Sequence, residues 1–149
     1  GAMVSSPQAN DIFDFVRKKW VRCTPEEKIR QGVILHLVEK LGYPKDLIMI
    51  EKALSEIPHL KYTFLPQRRI DILCYDKIKH SPLLIIECKA VSLSQRMMAQ
   101  VSGYNMFVKA PLMCLVNKNR CVLQWEDNSR NMGYTDIPTY KTLVEDVYR

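Results

Sequence analysis

The chain has 149 residues, 47% apolar and 26% charged, with 22 lysines and arginines against 16 acids for a net charge of +6. That composition fits one soluble domain with a real core and argues against low-complexity or disulfide-framework classes. The positive balance favours an acidic partner, nucleic acid first among the candidates. Five cysteines (Cys23, Cys74, Cys88, Cys114, Cys121) are odd in number, lack metal-ligand spacing and mostly sit in apolar runs. A reducing, cytoplasmic setting is therefore expected. No apolar run is long enough to span a membrane and no signal peptide is visible, so no membrane partner is expected.

Gly1-Ala2 ahead of Met3 reads as the cleavage scar of an expression tag. Residues 3–16 are expected to be loosely ordered, and the basic run Arg17-Lys18-Lys19 follows. Thr24-Pro25-Glu26-Glu27 combines an N-cap, a proline at N1 and a glutamate at N3, a capping box that opens a helix. Ile29, Val33, Ile34, Leu37, Val38 and Leu41 carry its period, and Gly42 is expected at C′. Leu47–Leu54 alternates as a strand containing Glu51, and 59–66 is a connection or short strand. Strands at Arg69–Tyr75 and Pro82–Val91 follow, then a helix over Ser94–Lys109 with Met97, Val101, Tyr104 and Val108 on one stripe. Two more strands, Leu112–Val116 and Cys121–Trp125, flank the turn 117–120, and a short helix over Lys141–Arg149 closes the chain. No repeat or linker divides it, so a single domain over 1–149 is expected. The order predicts an α/β (α+β) fold with a mixed central sheet flanked by helices.

Charged residues interrupt the most apolar part of this pattern. Asp71 lies among Ile70, Ile72 and Leu73, while Glu87-Cys88-Lys89 ends the run Leu83-Leu84-Ile85-Ile86. Burying such groups is costly unless they are paired or bind something. An antiparallel hairpin turning through Asp76–Pro82 would set Asp71 opposite Glu87, with Cβ atoms about 4.5–5.5 Å apart. Alternation puts Lys89 on the face of Glu87 and turns Cys88 away. Lys89 alone leaves one acid without a cation, and a bound divalent ion supplies it. Hard oxygen ligands suit magnesium, with manganese as a substitute. A surface salt bridge is the plainer alternative.

Asp71 followed by Glu87-x-Lys89 on the next strand resembles the PD-(D/E)xK nuclease superfamily. Thr24-Pro25-Glu26-Glu27-x-x-Arg30-Gln31, Gly42-Tyr43-Pro44, Glu51, Arg68-Arg69-x-Asp71-Ile72, Glu87-Cys88-Lys89-Ala90 and Gln100-x-x-x-Tyr104 sharpen this. Together they resemble the N-terminal nuclease domain of type I restriction enzyme R subunits in its short form, from about Arg17 to Trp125. Ile70 stands where the name motif has proline. The resemblance implies a restriction-endonuclease-like fold and a magnesium-dependent deoxyribonuclease of restriction or repair type.

It further implies that Asp71 and Glu87 ligate magnesium with the backbone carbonyl of Cys88, and that Lys89 orients or deprotonates the attacking water. Glu27 matches the family's helical glutamate as a further ligand, although N3 of a capping box wants glutamate for its own reasons. Gln100 and Tyr104, four apart on a helix, would orient DNA or the catalytic lysine; Tyr104 fits the core stripe equally. Glu51 is read as a strand-edge acid rather than a ligand. Arg30, Arg68, Arg69 and Arg96 are expected at phosphates, with solvated surface the alternative.

The R subunits carry an ATP-dependent motor. This chain shows no G-x-x-x-x-G-K-[ST] loop, so either it stands alone or it belongs to a larger protein. A homodimer or a motor or specificity partner is expected accordingly. Beside the nuclease stand a catalytically silent nucleic-acid-binding module of the same fold and a protein-interaction module without metal affinity.

Overall fold

A computed structural model describes residues 7–60, 64–130 and 133–149. The Gly1-Ala2 scar and residues 3–6 lie outside that range, as do residues 61–63 of the 59–66 connection, whose described ends form no strand.

From Asp11 onward the opening segment forms regular structure. β1 (Asp11–Asp14) and β2 (Lys19–Arg22) form an antiparallel hairpin with Asp14 paired to Lys19. The cause is local: the Asp14 carboxylate accepts the N–H groups of Val16 (2.9 Å) and Arg17 (2.8 Å), closing the turn. The rings of Phe13 and Trp20 then meet across the pair at 5.1 Å.

Helix α1 (Pro25–Glu39) begins as expected, with Thr24 Oγ1 accepting the Glu27 N–H at 3.1 Å. The second half of the capping box is not made, because the Glu27 side chain is taken by arginines. Gly42, at φ +76°, lies one residue beyond the expected C′, since Lys40 is the C-cap. There it lets the Tyr43 N–H reach the Leu37 carbonyl at 2.9 Å. Thr24→Ala is expected to cost about 1 kcal/mol in a denaturant melt, because one orphan N–H loses its acceptor.

β3 (Ile48–Ala53), β4 (Arg69–Tyr75), β5 (Pro82–Cys88), β6 (Leu112–Val116) and β7 (Cys121–Trp125) form a five-stranded sheet in that order. All neighbours are antiparallel except β5 and β6, which run parallel and are joined by helix α2 (Gln95–Val108). A parallel pair requires such a crossover. Leu83, Leu84, Ile85 and Ile86 of β5 are wholly buried, as a strand covered on both faces should be.

One face packs Ile72, Leu84, Ile86 and Cys114 against Ile34 and Leu37 of α1 and against Leu143 and Val144 of α3 (Tyr140–Val147). The other packs Leu73, Ile85, Met113 and Leu115 against Met98, Val101 and Tyr104 of α2. This is a mixed α+β architecture consistent with a restriction-endonuclease-like fold. No helix of the described residues is long and apolar enough to cross a membrane.

Candidate active site

The β4–β5 register pairs Ile72 with Ile86, so the next residue out on each strand, Asp71 and Glu87, face one another. Asp71 Oδ2 accepts the Cys88 N–H at 2.8 Å, which ties the acid of one strand to the backbone of the next. Glu87 is only 3% exposed, and its Oε1 accepts the hydroxyl of Tyr104 from α2. Burial first, then the charge of Asp71 and a hydrogen bond with it, push the Glu87 carboxyl up to about 8. Tyr104 and Lys89 act in the opposite direction without prevailing. Two acids in contact in a dry place cannot both ionise cheaply unless a cation joins them.

Arg30 provides one cation nearby. The low helix propensity of Gly32 notwithstanding, α1 turns Glu27, Arg30 and Gln31 inward on a single face. Arg30 Nη1 donates to Asp71 Oδ1 at 2.9 Å and to Glu51 Oε1 at 2.6 Å. Its Nε and Nη2 grip both oxygens of Glu27 at 2.7 and 2.8 Å. Arg17 reaches Glu27 from the β1–β2 turn at 3.0 Å and also pairs with Asp14. Gln31 donates to Asp14 and Glu27 at 3.0 and 3.1 Å. Burial alone would raise the Glu27 carboxyl, yet the hydrogen bonds of Arg30 and Gln31 and the charges of Arg30 and Arg17 hold it below its ordinary range.

Glu51 joins this group although the sequence reads as a strand-edge acid there. The pairs Ile50–Ile72 and Lys52–Ile70 set it opposite Asp71, and its backbone is left-handed at φ +56°. A non-glycine residue in that region costs about 1–2 kcal/mol. Bonds from Arg30 to its carboxylate and from Arg69 to its carbonyl (2.8 Å) help hold it. Sequence reasoning also passed over Asp14, although aspartate three residues before Arg17 is a turn signal.

The remaining residues are distributed unevenly. Lys89 follows the last residue of β5, is half-buried, and lines a groove shared with α1. Arg68 stacks over the Tyr104 ring at 5.1 Å. Arg69 donates to the Glu51 carbonyl and lies 3.6 Å from the Glu56 carboxylate, its one ion pair among the described residues. Tyr104 is buried, whereas Gln100, one turn earlier on α2, is exposed, as is Arg96. Of the two, Tyr104 is the one with a hydrogen bond to the site's carboxylates among the described residues.

Among the described residues, no group of three or more histidine, cysteine, aspartate or glutamate side chains is placed to hold a metal ion. Magnesium asks for less, since it is often held by one or two carboxylates plus waters and substrate phosphate. Asp71 and Glu87 supply two hard oxygen donors of that kind, and a divalent ion would relieve their mutual repulsion. The donor set fits. Glu27 fits less well, because both its oxygens already accept from arginine.

The family model for the type I restriction enzyme R protein N terminus matches residues 25–138. It begins at α1, leaving the hairpin that contributes Asp14 and Arg17 outside the match. No curated protein and no solved structure matches the chain.

Proposed function

We propose that this chain, which belongs to the type I restriction enzyme R protein N-terminus family, is a magnesium-dependent nuclease that cuts DNA internally. The observation that carries this reading is the pair Asp71 and Glu87, opposed on adjacent strands, with burial and the charge of Asp71 raising the Glu87 carboxyl. Asp71, Glu87 and the Cys88 carbonyl would hold the ion, with manganese as a substitute. Bound there, the ion would polarise a phosphoryl oxygen and acidify a water. The protein's own groups do the rest. Lys89 Nζ orients the attacking water and offsets charge on the phosphate, and Tyr104, by its bond to Glu87, keeps that carboxylate aimed. Arg68, stacked on Tyr104, offers a cation to the strand. The net charge of +6 favours a polyanion. A second copy, or a motor or specificity chain, would bring the site to both strands of a duplex.

One observation favours a second reading, nucleic-acid binding without cleavage. Arg30 already pairs with Asp71 and Glu51, so these two acids share a cation of the protein's own.

Titrating magnesium and manganese against supercoiled and linear DNA separates the two. Metal-dependent nicking is expected, with Lys89→Ala slower by about 10²-fold or more and Asp71→Ala inactive. Calcium or magnesium binding without any cutting would leave the binding module.

A further inference from the structure

Helix α1 carries a second stripe beside the one that holds Glu27 and Arg30. Lys28, Ile29, Gly32, Val33 and His36 recur at spacings of three and four and form one wall of a groove of about 850 Å³. Its other walls follow the carboxyl ends of the parallel strands β5 and β6: Lys89–Ser92 on one side and Asn117–Asn119 on the other. Carboxyl ends of parallel strands are where open α/β sheets take ligands, and the volume suits a small molecule or a single nucleotide.

The lining has two halves. Ile29, Val33, Val116 and Ile137 make an aliphatic floor, and of these Ile29, Val33 and Val116 are only half-buried although apolar. Around it stand the ammonium groups of Lys28, Lys89 and Lys118, with Asp136 the one acid in the lining. Among the described residues none of these three lysines is in an ion pair. An apolar floor ringed by cations is complementary to a base carried between phosphates. Lys89, which follows the last residue of β5 and lies two residues beyond Glu87, lines this groove, so the groove and the candidate active site share that lysine.

We propose that the groove holds one unpaired nucleotide of the substrate strand, its base on Ile29 and Val33 and its flanking phosphates at Lys28 and Lys118. This rests on the nuclease reading and deepens it: the preferred substrate is a strand opened at the cutting position. A paired base cannot enter, because its edge is engaged and its backbone is held in the duplex. The lining holds no phenylalanine, tyrosine or tryptophan, and the His36 imidazole is its one ring, so recognition is by apolar contact, charge and at most that ring, and tolerates any base.

Gly32 gives a clean test, since a Cβ placed there meets nothing within 4 Å. Gly32→Phe fills the groove and also removes a weak helix former. Anisotropy with labelled oligothymidylate, in EDTA so that cutting plays no part, is the measurement. Gly32→Phe and Lys118→Glu are expected to weaken binding about fivefold or more, each with an unchanged or higher melting temperature. A wholly abasic oligomer of the same length is expected to bind the unaltered protein less tightly than the intact one. Unchanged affinity in Gly32→Phe, or an equal affinity for the abasic strand, overturns the groove. Because no metal is present, these results stand apart from the cleavage assay: nicking with an unaffected Gly32→Phe sinks the groove and keeps the nuclease.

Discussion

Arg30→Met is expected to destabilise the protein by about 3–5 kcal/mol, the usual loss when one partner of a buried ion pair is removed. Arg30 is 7% exposed and makes four hydrogen bonds to three carboxylates, Glu27, Glu51 and Asp71. Methionine keeps much of the volume, so cavity formation contributes little and the change reads charge. The three acids do not suffer equally. Glu27 keeps Arg17 and Gln31, whereas the ion pairs of Glu51 and Asp71 among the described residues are both with Arg30. The damage therefore falls on the strands β3 and β4 that carry those two. Urea melts with and without magnesium make the test specific. The variant is expected to recover more stability from magnesium than the unaltered protein does, since Glu51 and Asp71 then have no ion pair among the described residues. A loss below about 0.5 kcal/mol, the range of ordinary surface changes, would mean that the network is solvated and does not organise the site.

The parts of this molecule that could be read in the sequence are those whose signal is local. Thr24 and Pro25 mark the start of α1 by cap chemistry, and the apolar run 83–86 marks a strand buried on both faces. The Asp71–Glu87 juxtaposition was legible too, because a hairpin's register follows from its turn and both acids lie equally far from that turn. Glu51 was not, since its approach to Asp71 depends on β3 pairing with β4 across an intervening segment and on a left-handed backbone at a residue that rarely adopts one. Asp14 and Arg17 were hidden for a similar reason. Their hairpin is held by a side-chain turn and a ring pair, neither of which leaves an apolar period. Glu27 shows the opposite case, a residue whose sequence context fits capping and whose side chain is used otherwise. Ile29 and Val33 looked like ordinary members of a core stripe, and only the position of α1 over the sheet reveals them as a groove floor.

Glu87 gives the strongest pH dependence. Its carboxyl is raised from an ordinary 4.5 to about 8 by burial and then by Asp71. An acid whose proton is held more tightly in the folded state stabilises that state below the unfolded value, and the advantage is lost as pH rises from 4.5 towards 8. At about 1.4 kcal/mol per pH unit, the metal-free protein is expected to lose up to about 5 kcal/mol across that window. Asp14 and Glu27 work the other way. Their carboxyls lie below the ordinary range, so their contribution is lost as pH falls below it. Stability without metal is thus expected to peak in mild acid, near the ordinary carboxylate range, and Glu87→Gln is expected to flatten only the alkaline limb. Magnesium inverts that limb, because a carboxylate must ionise to bind it. At pH 7 most Glu87 is protonated, so magnesium binding should release close to one proton per ion. Calorimetry in two buffers of different ionisation enthalpy reads that number directly. Release near one in the unaltered protein and near zero in Glu87→Gln would assign the ion to this pair. Metal binding with no proton release at pH 7 would place it elsewhere, and Asp71 and Glu87 would then be an acid pair held by Tyr104, Arg30 and the Cys88 N–H.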